Sequence, residues 1–121
     1  MEVEVGGVKY ALHQGEVHNI ELSLCYGTPA ASTASVQLNA RKRVASGTYE
    51  SGRLKLEFSG VSKAVVLEEF IGGASYSSIV LNQRPDNSYY FAFGTIGNTH
   101  NPDFDYDNLV LQAQSLTIHE A

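Results

Sequence analysis

The sequence predicts an all-β fold, a single-domain antiparallel β-sandwich or barrel of about 8–10 short strands. Seven Tyr and five Phe accompany many Val, Thr and Ser residues, and these residue types pack well on a pleated sheet. Apolar and polar residues alternate with a period of two along most of the chain, whereas no long segment shows the helical period. Turn residues separate these segments at short intervals. A chain of 121 residues is expected to form one domain over residues 1–121.

The middle of the chain is the predicted centre of the sheet. Leu54, Leu56 and Phe58 alternate with polar residues, so they share one face of a strand. Gly60 then permits a bend or a bulge. Residues 64–67 are apolar on both faces, as in a strand that is covered on both sides. We expect these two segments to form the inner ladder around which the other strands are built.

The remaining strands follow from the same alternation and from turn chemistry. Pro followed by Asp and Asn, as in residues 84–87, is a strong turn signal. The strands are expected over residues 2–5, 8–12, 17–26, 34–40, 76–81, 89–93 and the end of 103–118, with turns or connections at 6–7, 13–15, 27–33, 50–52, 72–73 and 84–87.

Composition excludes some classes of function. The net charge of −5 argues against binding to a phosphate backbone. The basic cluster Arg41-Lys42-Arg43 is expected as a solvated turn or strand edge. No apolar run approaches the ~18 residues of a membrane span. The acidic N-terminus lacks the apolar region of a signal peptide, so we expect a cytoplasmic protein.

Catalytic residues are not evident from the sequence. Cys25 is the single cysteine, and its apolar neighbours predict a small buried side chain. None of the four histidines has the close spacing of a zinc motif. His100, near an aspartate run, is the one pairing that suits acid–base chemistry or metal binding. Nucleophile elbows, P-loops and dinucleotide fingerprints are absent from the sequence.

The acidic run near the C-terminus is a candidate calcium site. On an extended segment the carboxylates of Asp103, Asp105 and Asp107 point the same way, which crowds like charges on one face. A cation, a basic partner or water relieves this repulsion, and calcium takes several oxygen ligands of this kind. Tyr106 and Asn108 belong to the same run. The EF-hand pattern fails, because Asn108 stands where that loop needs glycine.

This run resembles the acidic calcium-binding loop of bacterial fucose- and mannose-binding lectins. In those proteins an Asp/Asn-rich run with an Asp-Tyr step precedes a Val-rich last strand, as 105–108 precedes 109–111 here. The resemblance implies calcium held by Asp103, Asp105, Asp107 and Asn108, and a bound carbohydrate.

An aromatic strand supplies one further candidate binding residue. Tyr89, Phe91 and Phe93 share one face, which we expect in the core. Tyr90 points the other way, where it is positioned to stack on a sugar or a protein partner. Of the two interpretations of this strand, core packing is the one that we favour.

The order of segments also resembles small all-β bacterial proteins that include immunity proteins of polymorphic toxin systems. The segments are LHQGEVHNIELSL, LEFSGV, SSIVL and LVLQAQSLTI. The resemblance implies a rigid sheet whose acidic residues cover the active site of a basic toxin, with charge steering the association.

Three hypotheses follow from these patterns. The first is a non-catalytic protein-binding module of the immunity type, with a basic toxin-like partner. The alternative is a calcium-dependent carbohydrate-binding domain that uses Asp103, Asp105 and Asp107. The third is an enzyme that uses His100 with an aspartate. Exposed edge strands also predict a homodimer.

Overall fold

The computed structural model describes residues 2–44, 47–66, 78–94 and 109–121. In these ranges the regular structure is β, apart from one 3-10 turn at Pro29–Ala31. The strands are β1 (Glu2–Val5), β2 (Val8–Ser23), β3 (Thr33–Arg43), β4 (Tyr49–Val66), β5 (Ser78–Gln83), β6 (Tyr89–Gly94) and β7 (Leu109–Glu120). They form one antiparallel sheet in the order β1-β2-β3-β4-β7-β6-β5, which curls into a half-barrel.

The all-β class is confirmed, but the strands are longer and fewer than predicted. In the described ranges there are seven strands, of which β2 has 16 residues and β4 has 18. The expected connection at residues 13–15 is wrong, because β2 continues through it. The register of β2 with β3 shifts here, which marks a bulge. A bulge adds residues to one strand without ending it, so the sequence that predicted a connection at residues 13–15 marks a bulge inside the strand.

The predicted centre of the sheet is confirmed. β4 is the fourth of seven strands in the sheet order, and it pairs with β3 and β7. Gly60 has φ +63, and the register with β7 shifts between Val61 and Lys63. Ala64 packs against the core on one face of the sheet, while Val65 packs against a second cluster on the other. The central strand is therefore packed on both faces in this region, as its apolar sequence indicated.

One hairpin turn lies earlier than predicted. Residues 50–52 were expected as a turn, but they lie inside β4 and pair with residues 40–42 of β3. The N–H of Val44 donates to the carbonyl of Thr48 at 2.9 Å, so the chain reverses before β4 begins. Arg41, Lys42 and Arg43 are accordingly strand residues rather than a turn. By contrast, the turn predicted over residues 84–87 is present, with Asn87 at φ +67.

The glycine that suggested a turn instead makes room for a buried tyrosine. Gly52 stands opposite Ala40, and a Cβ at Gly52 would lie 2.8 Å from Cε1 of Tyr10. The Tyr10 ring therefore lies against Gly52, and its hydroxyl donates a hydrogen bond to the Glu120 carboxylate. Burial, followed by this hydrogen bond, raises the pKa of Tyr10 to about 12.

The core fills the face enclosed by the curl, here called the inner face. It is made by alternate residues of the strands, as the period of two predicts. Its buried members are Tyr10, Leu12, Ala34, Val36, Leu38, Ala40, Leu54, Leu56, Phe58, Val61, Ile79, Leu81, Phe91, Leu109, Leu111 and Ala113.

A bulge in β2 shapes the curl. Ala11 pairs with Arg41 and Glu16 pairs with Asn39, so residues 12–15 stand opposite Ala40 alone. This bulge brings Gly15 close to other strands: a Cβ there would lie 2.9 Å from the Asn39 carbonyl oxygen and 2.9 Å from Cδ1 of Ile79. Ile79 belongs to β5, at the far end of the sheet order. The bulge therefore lies where the curled sheet brings its two ends together.

We predict that Gly15→Ala destabilises the fold by about 1–3 kcal/mol, because backbone and core atoms must move to accept the methyl group. Gly27→Ala is the control, since a Cβ at Gly27 meets nothing within 4 Å, and it should change stability by less than about 0.5 kcal/mol. Chemical denaturation of both variants measures the difference. Equal stabilities would contradict the close approach at Gly15.

Candidate functional site

Most of the predicted site residues lie outside the described residues. The segment between β6 and β7 contains His100, Asp103, Asp105, Tyr106, Asp107 and Asn108. The calcium, carbohydrate and acid–base hypotheses therefore stay predictions. Within the described ranges, no group of three or more His, Cys, Asp or Glu side chains is arranged to hold a metal ion. Those ranges also contain no helix of the length and apolarity needed to span a membrane.

Tyr90 is the predicted binding residue that the structure describes, and it is buried. Its side chain is 1% exposed and packs with Val80, Ala92 and Val110 on the face opposite the core, here called the outer face. The Arg84 guanidinium carbon lies 5.3 Å from the centre of the Tyr90 ring. Tyr90 is therefore buried in apolar packing rather than exposed for a ligand, and Arg84 lies over the ring on which a sugar would stack.

Cys25 differs in part from its predicted environment. β2 ends at Ser23, so Cys25 lies beyond the strand and is half-buried rather than buried. Its backbone N–H donates to Oγ of Ser32 at 2.8 Å. Its thiol lies 3.9 Å from the carbonyl oxygen of Ala31. These contacts give Cys25 a structural place beside the 3-10 turn.

The outer face of β2, β3, β4 and β7 carries a regular grid of polar side chains, here called the polar face. Each of these strands sends alternate residues outward, opposite the buried residues of the core. Strand pairing aligns them in rows, all exposed or half-buried. The rows are Asn19-Gln37-Lys55-His119, Glu21-Ser35-Glu57-Thr117 and Ser23-Thr33-Ser59-Ser115.

Glu57 is the best-connected residue of the polar face. Its Oε1 lies 3.3 Å from Nζ of Lys55, and its Oε2 lies 2.9 Å from Nε2 of His119. The hydrogen bond from Lys55, followed by that from His119, holds the pKa of Glu57 below its ordinary value. All three side chains face solvent, so the cluster adds little stability. The cluster instead holds the Glu57 carboxylate in place and ionised, at the middle of the polar face.

A second carboxylate, that of Glu21, lies near Glu57, so the three rows carry two carboxylates and one lysine ammonium group, that of Lys55. Glu21 and Glu57 flank Ser35 in one row, which places their strands about 10 Å apart. A shallow concavity of about 540 Å³ lies over this part of the sheet, and Thr33, Ser59 and Thr117 also line it. Carboxylates and hydroxyls accept hydrogen bonds from cationic and amide groups. The site is therefore suited to bind a basic, hydrogen-bonding surface.

Sequence patterns predicted only part of this site. Alternation places Lys55 and Glu57 on the same strand face. His119 is 62 residues from Glu57 in sequence, and only the pairing of β4 with β7 brings the two side chains together. No local signal in the sequence identifies such a pair.

Comparison with known proteins adds no relative: no family model, no curated protein and no solved structure matches the chain. The resemblances to immunity proteins and to lectins therefore stay predictions.

We predict that the pKa of Glu57 lies below its ordinary value and that Lys55→Gln raises it more than His119→Gln does, because the hydrogen bond from Lys55 is the larger cause. The ionised form of Glu57 favours the folded state. This contribution is present above the unfolded pKa and is lost as the pH falls through the folded pKa. A carbon-detected NMR titration of the Glu57 carboxylate measures the shift.

Lys63→Gln is the matched control for this titration, since Lys63 lies beyond the bulge in β4 and outside the three rows. It should leave the pKa of Glu57 unchanged. A larger effect from Lys63 than from Lys55 would show that total charge, rather than the local hydrogen bonds, sets this pKa.

Proposed function

We propose that this protein is a non-catalytic binding module that recognises a basic protein partner through the polar face. The observation that carries the proposal is the exposed row in which Glu21 and Glu57 flank Ser35 on adjacent strands. The overall charge of −5 has the same sign as these two carboxylates. Charge complementarity of this kind raises association rates and selects against acidic partners.

The sheet presents this face with little freedom to move. β3 and β4 pair without a register shift from Thr33↔Ser59 to Arg43↔Tyr49. The opposite face of the same strands is buried in the core. A surface that is already ordered loses little conformational entropy on binding. A rigid sheet face therefore suits a partner that is bound by surface complementarity.

The finer proposal is an immunity-type role, in which this chain neutralises a toxin. It is supported by the resemblance of the sequence to bacterial immunity proteins and by the carboxylates of Glu21 and Glu57 on the polar face. In this role the polar face covers a basic active site, so that the toxin cannot reach its substrate. We expect the pair to meet in the cytoplasm.

The three rows of the polar face are too small to form a standard protein–protein interface by themselves. Four strands and five residues cover roughly 19 by 17 Å, or about 300 Å² in projection. A standard interface takes about 800 Å² from each partner. The contact must therefore extend beyond the three rows described here.

We predict that the double reversal Glu21→Lys/Glu57→Lys slows association with a basic toxin-like partner by about tenfold or more, because it removes both carboxylates from the rows of the polar face. Biolayer interferometry at low and moderate salt measures the rate, and growth on co-expression of the toxin measures protection. Glu2→Lys/Glu4→Lys is the matched control, since both residues are exposed on β1 and the change in net charge is the same. Equal slowing by both doubles would contradict a role for the polar face.

Calcium-dependent carbohydrate binding is the alternative function that we propose. It is supported by the sequence of the acidic run, which directly precedes the buried start of β7 at Leu109. Asp103, Asp105 and Asp107 would supply carboxylate oxygens of the kind that calcium prefers.

We predict that, if this alternative holds, calcium at about a hundred times its dissociation constant stabilises the fold by about 2.7 kcal/mol. The resulting rise in Tm is several degrees for a domain of this size. Thermal unfolding with calcium and with chelator measures it, and Asp105→Ala should abolish the rise. Asp86→Ala is the control, because Asp86 lies in the turn between β5 and β6 and its loss should leave the calcium effect intact. No calcium effect on the unaltered protein would contradict this alternative.

A further inference from the structure

The second half of β2 has an open edge. β1 pairs with Val8–Ala11, and residues 17–23 pair with β3 on their other side. Among the residues that the structure describes, no strand pairs with the remaining edge of 17–23. Such an edge presents backbone N–H and C=O groups that can pair with another strand.

Apolar side chains are exposed beside this edge. Leu22 is 38% exposed, Leu24 is 46% exposed and Tyr26 is 95% exposed. Ile20 packs against the core on the inner face. Leu22, Leu24 and Tyr26 follow it at every second position, so they continue the same apolar series toward the end of β2 and beyond it. An apolar series that leaves the core and meets solvent beside an unpaired strand edge is typical of a contact with another chain.

The backbone at the end of β2 indicates which groups face the open side. The N–H of Cys25 points toward the β3 side, where it donates to Ser32. In an antiparallel ladder, alternate residues direct both backbone groups to the same neighbour. We expect the same alternation to continue back into β2, which would direct the backbone groups of Leu22 and Leu24 away from β3, into the open edge.

We propose that a second copy of this chain pairs with this edge in antiparallel orientation, around a twofold axis at Leu22. In this register Leu22 stands opposite the partner's Leu22, and Ile20 stands opposite the partner's Leu24. Glu21 stands opposite the partner's Ser23. Apolar residues therefore meet apolar residues on one face of the joined sheet, and polar residues meet polar residues on the other.

Other registers are less favourable for the same residues. An axis at Glu21 would place two glutamates directly opposite each other, and like charges in that position destabilise a strand pair. An axis at Ile20 would place Leu24 opposite the partner's Glu16. An axis at Ser23 also gives both leucines an apolar partner, because it places Leu22 opposite the partner's Leu24, but its pairs reach Tyr26 and so extend farther beyond the end of β2 than those of the axis at Leu22.

The dimer would join two curled sheets edge to edge. The two polar faces would then continue across the shared edge, because β2 contributes a residue to each of their rows. This doubles the projected area of roughly 300 Å², which approaches the size of a standard interface. The inference rests on the open edge and its apolar residues, so it holds or fails independently of the partner that the polar face binds.

Sedimentation velocity over a wide range of protein concentration tests the proposal. One strand pair makes a small interface, so the expected mass rises with concentration from the 13.1 kDa of one chain towards twice that value. Leu22→Lys places two ammonium groups opposite each other at the axis and should hold the protein at the mass of one chain. Leu24→Lys, at a position beyond the end of β2, should also weaken the dimer.

Val66→Lys is the matched control, because Val66 is 40% exposed at the end of β4, away from the β2 edge. It adds the same charge and should dimerise like the unaltered protein. Circular dichroism confirms that each variant is folded. A mass of one chain at every concentration of the unaltered protein would overturn the proposal, as would equal dimerisation of Leu22→Lys and Val66→Lys.

Cysteine cross-linking tests the register directly. In a Cys25→Ser background, Leu22→Cys should link two copies on mild oxidation, because paired strands place Cα atoms within disulfide range. Val66→Cys in the same background should not link. A dimer that forms without linking through position 22 would overturn the twofold axis proposed here.

Discussion

The long antiparallel ladder of β3, β4 and β7 is the constraint on which the rest of the structure depends. β4 lies at the centre of the sheet, and its alternate residues fill the core with Leu54, Leu56 and Phe58. Pairing on both sides of β4 satisfies its backbone groups with neighbouring strands. The same register decides which residues stand beside each other on the outer face. A slip by one residue would exchange the two faces and expose the core, so burial of the inner face fixes the arrangement of the polar one.

Irregularities within the strands give the sheet its shape. Residues 12–15 bulge opposite Ala40, and this bulge brings Gly15 of β2 against Ile79 of β5. Gly52 leaves space that the Tyr10 ring fills, and the Tyr10 hydroxyl reaches Glu120 on β7. The curl thus depends on small residues at two points of close approach. Larger side chains at either point would keep the strands apart, whatever their propensity for β structure.

The two faces of this sheet and the edge of β2 over residues 17–23 differ in chemistry and therefore in what they can bind. The inner face is apolar and buried, whereas the polar face exposes carboxylates, hydroxyls and amides from four strands. At the end of β2 the inward-facing apolar series emerges into solvent beside an edge with which no strand of the described residues pairs. Backbone pairing and apolar contact suit a second strand, while the proposed basic partner depends on the carboxylates of Glu21 and Glu57 on the polar face. The polar face and the edge at residues 17–23 both include β2. A second copy paired at that edge would therefore extend the polar face.

Much of the fold follows from the sequence by itself, because a period of two within a segment is a local property. That periodicity identified the central strand and the inward-facing Leu and Phe residues, while turn chemistry identified the turn before β6. It did not distinguish a bulge from a connection at residues 13–15, nor a packing glycine from a turn glycine at residue 52, because both distinctions depend on what lies across the sheet. The meeting of Glu57 with His119 and the open edge of β2 were likewise decided by tertiary structure. Strand pairing joins segments that are distant in sequence, and its register is set by the burial of one whole face rather than by any residue pair.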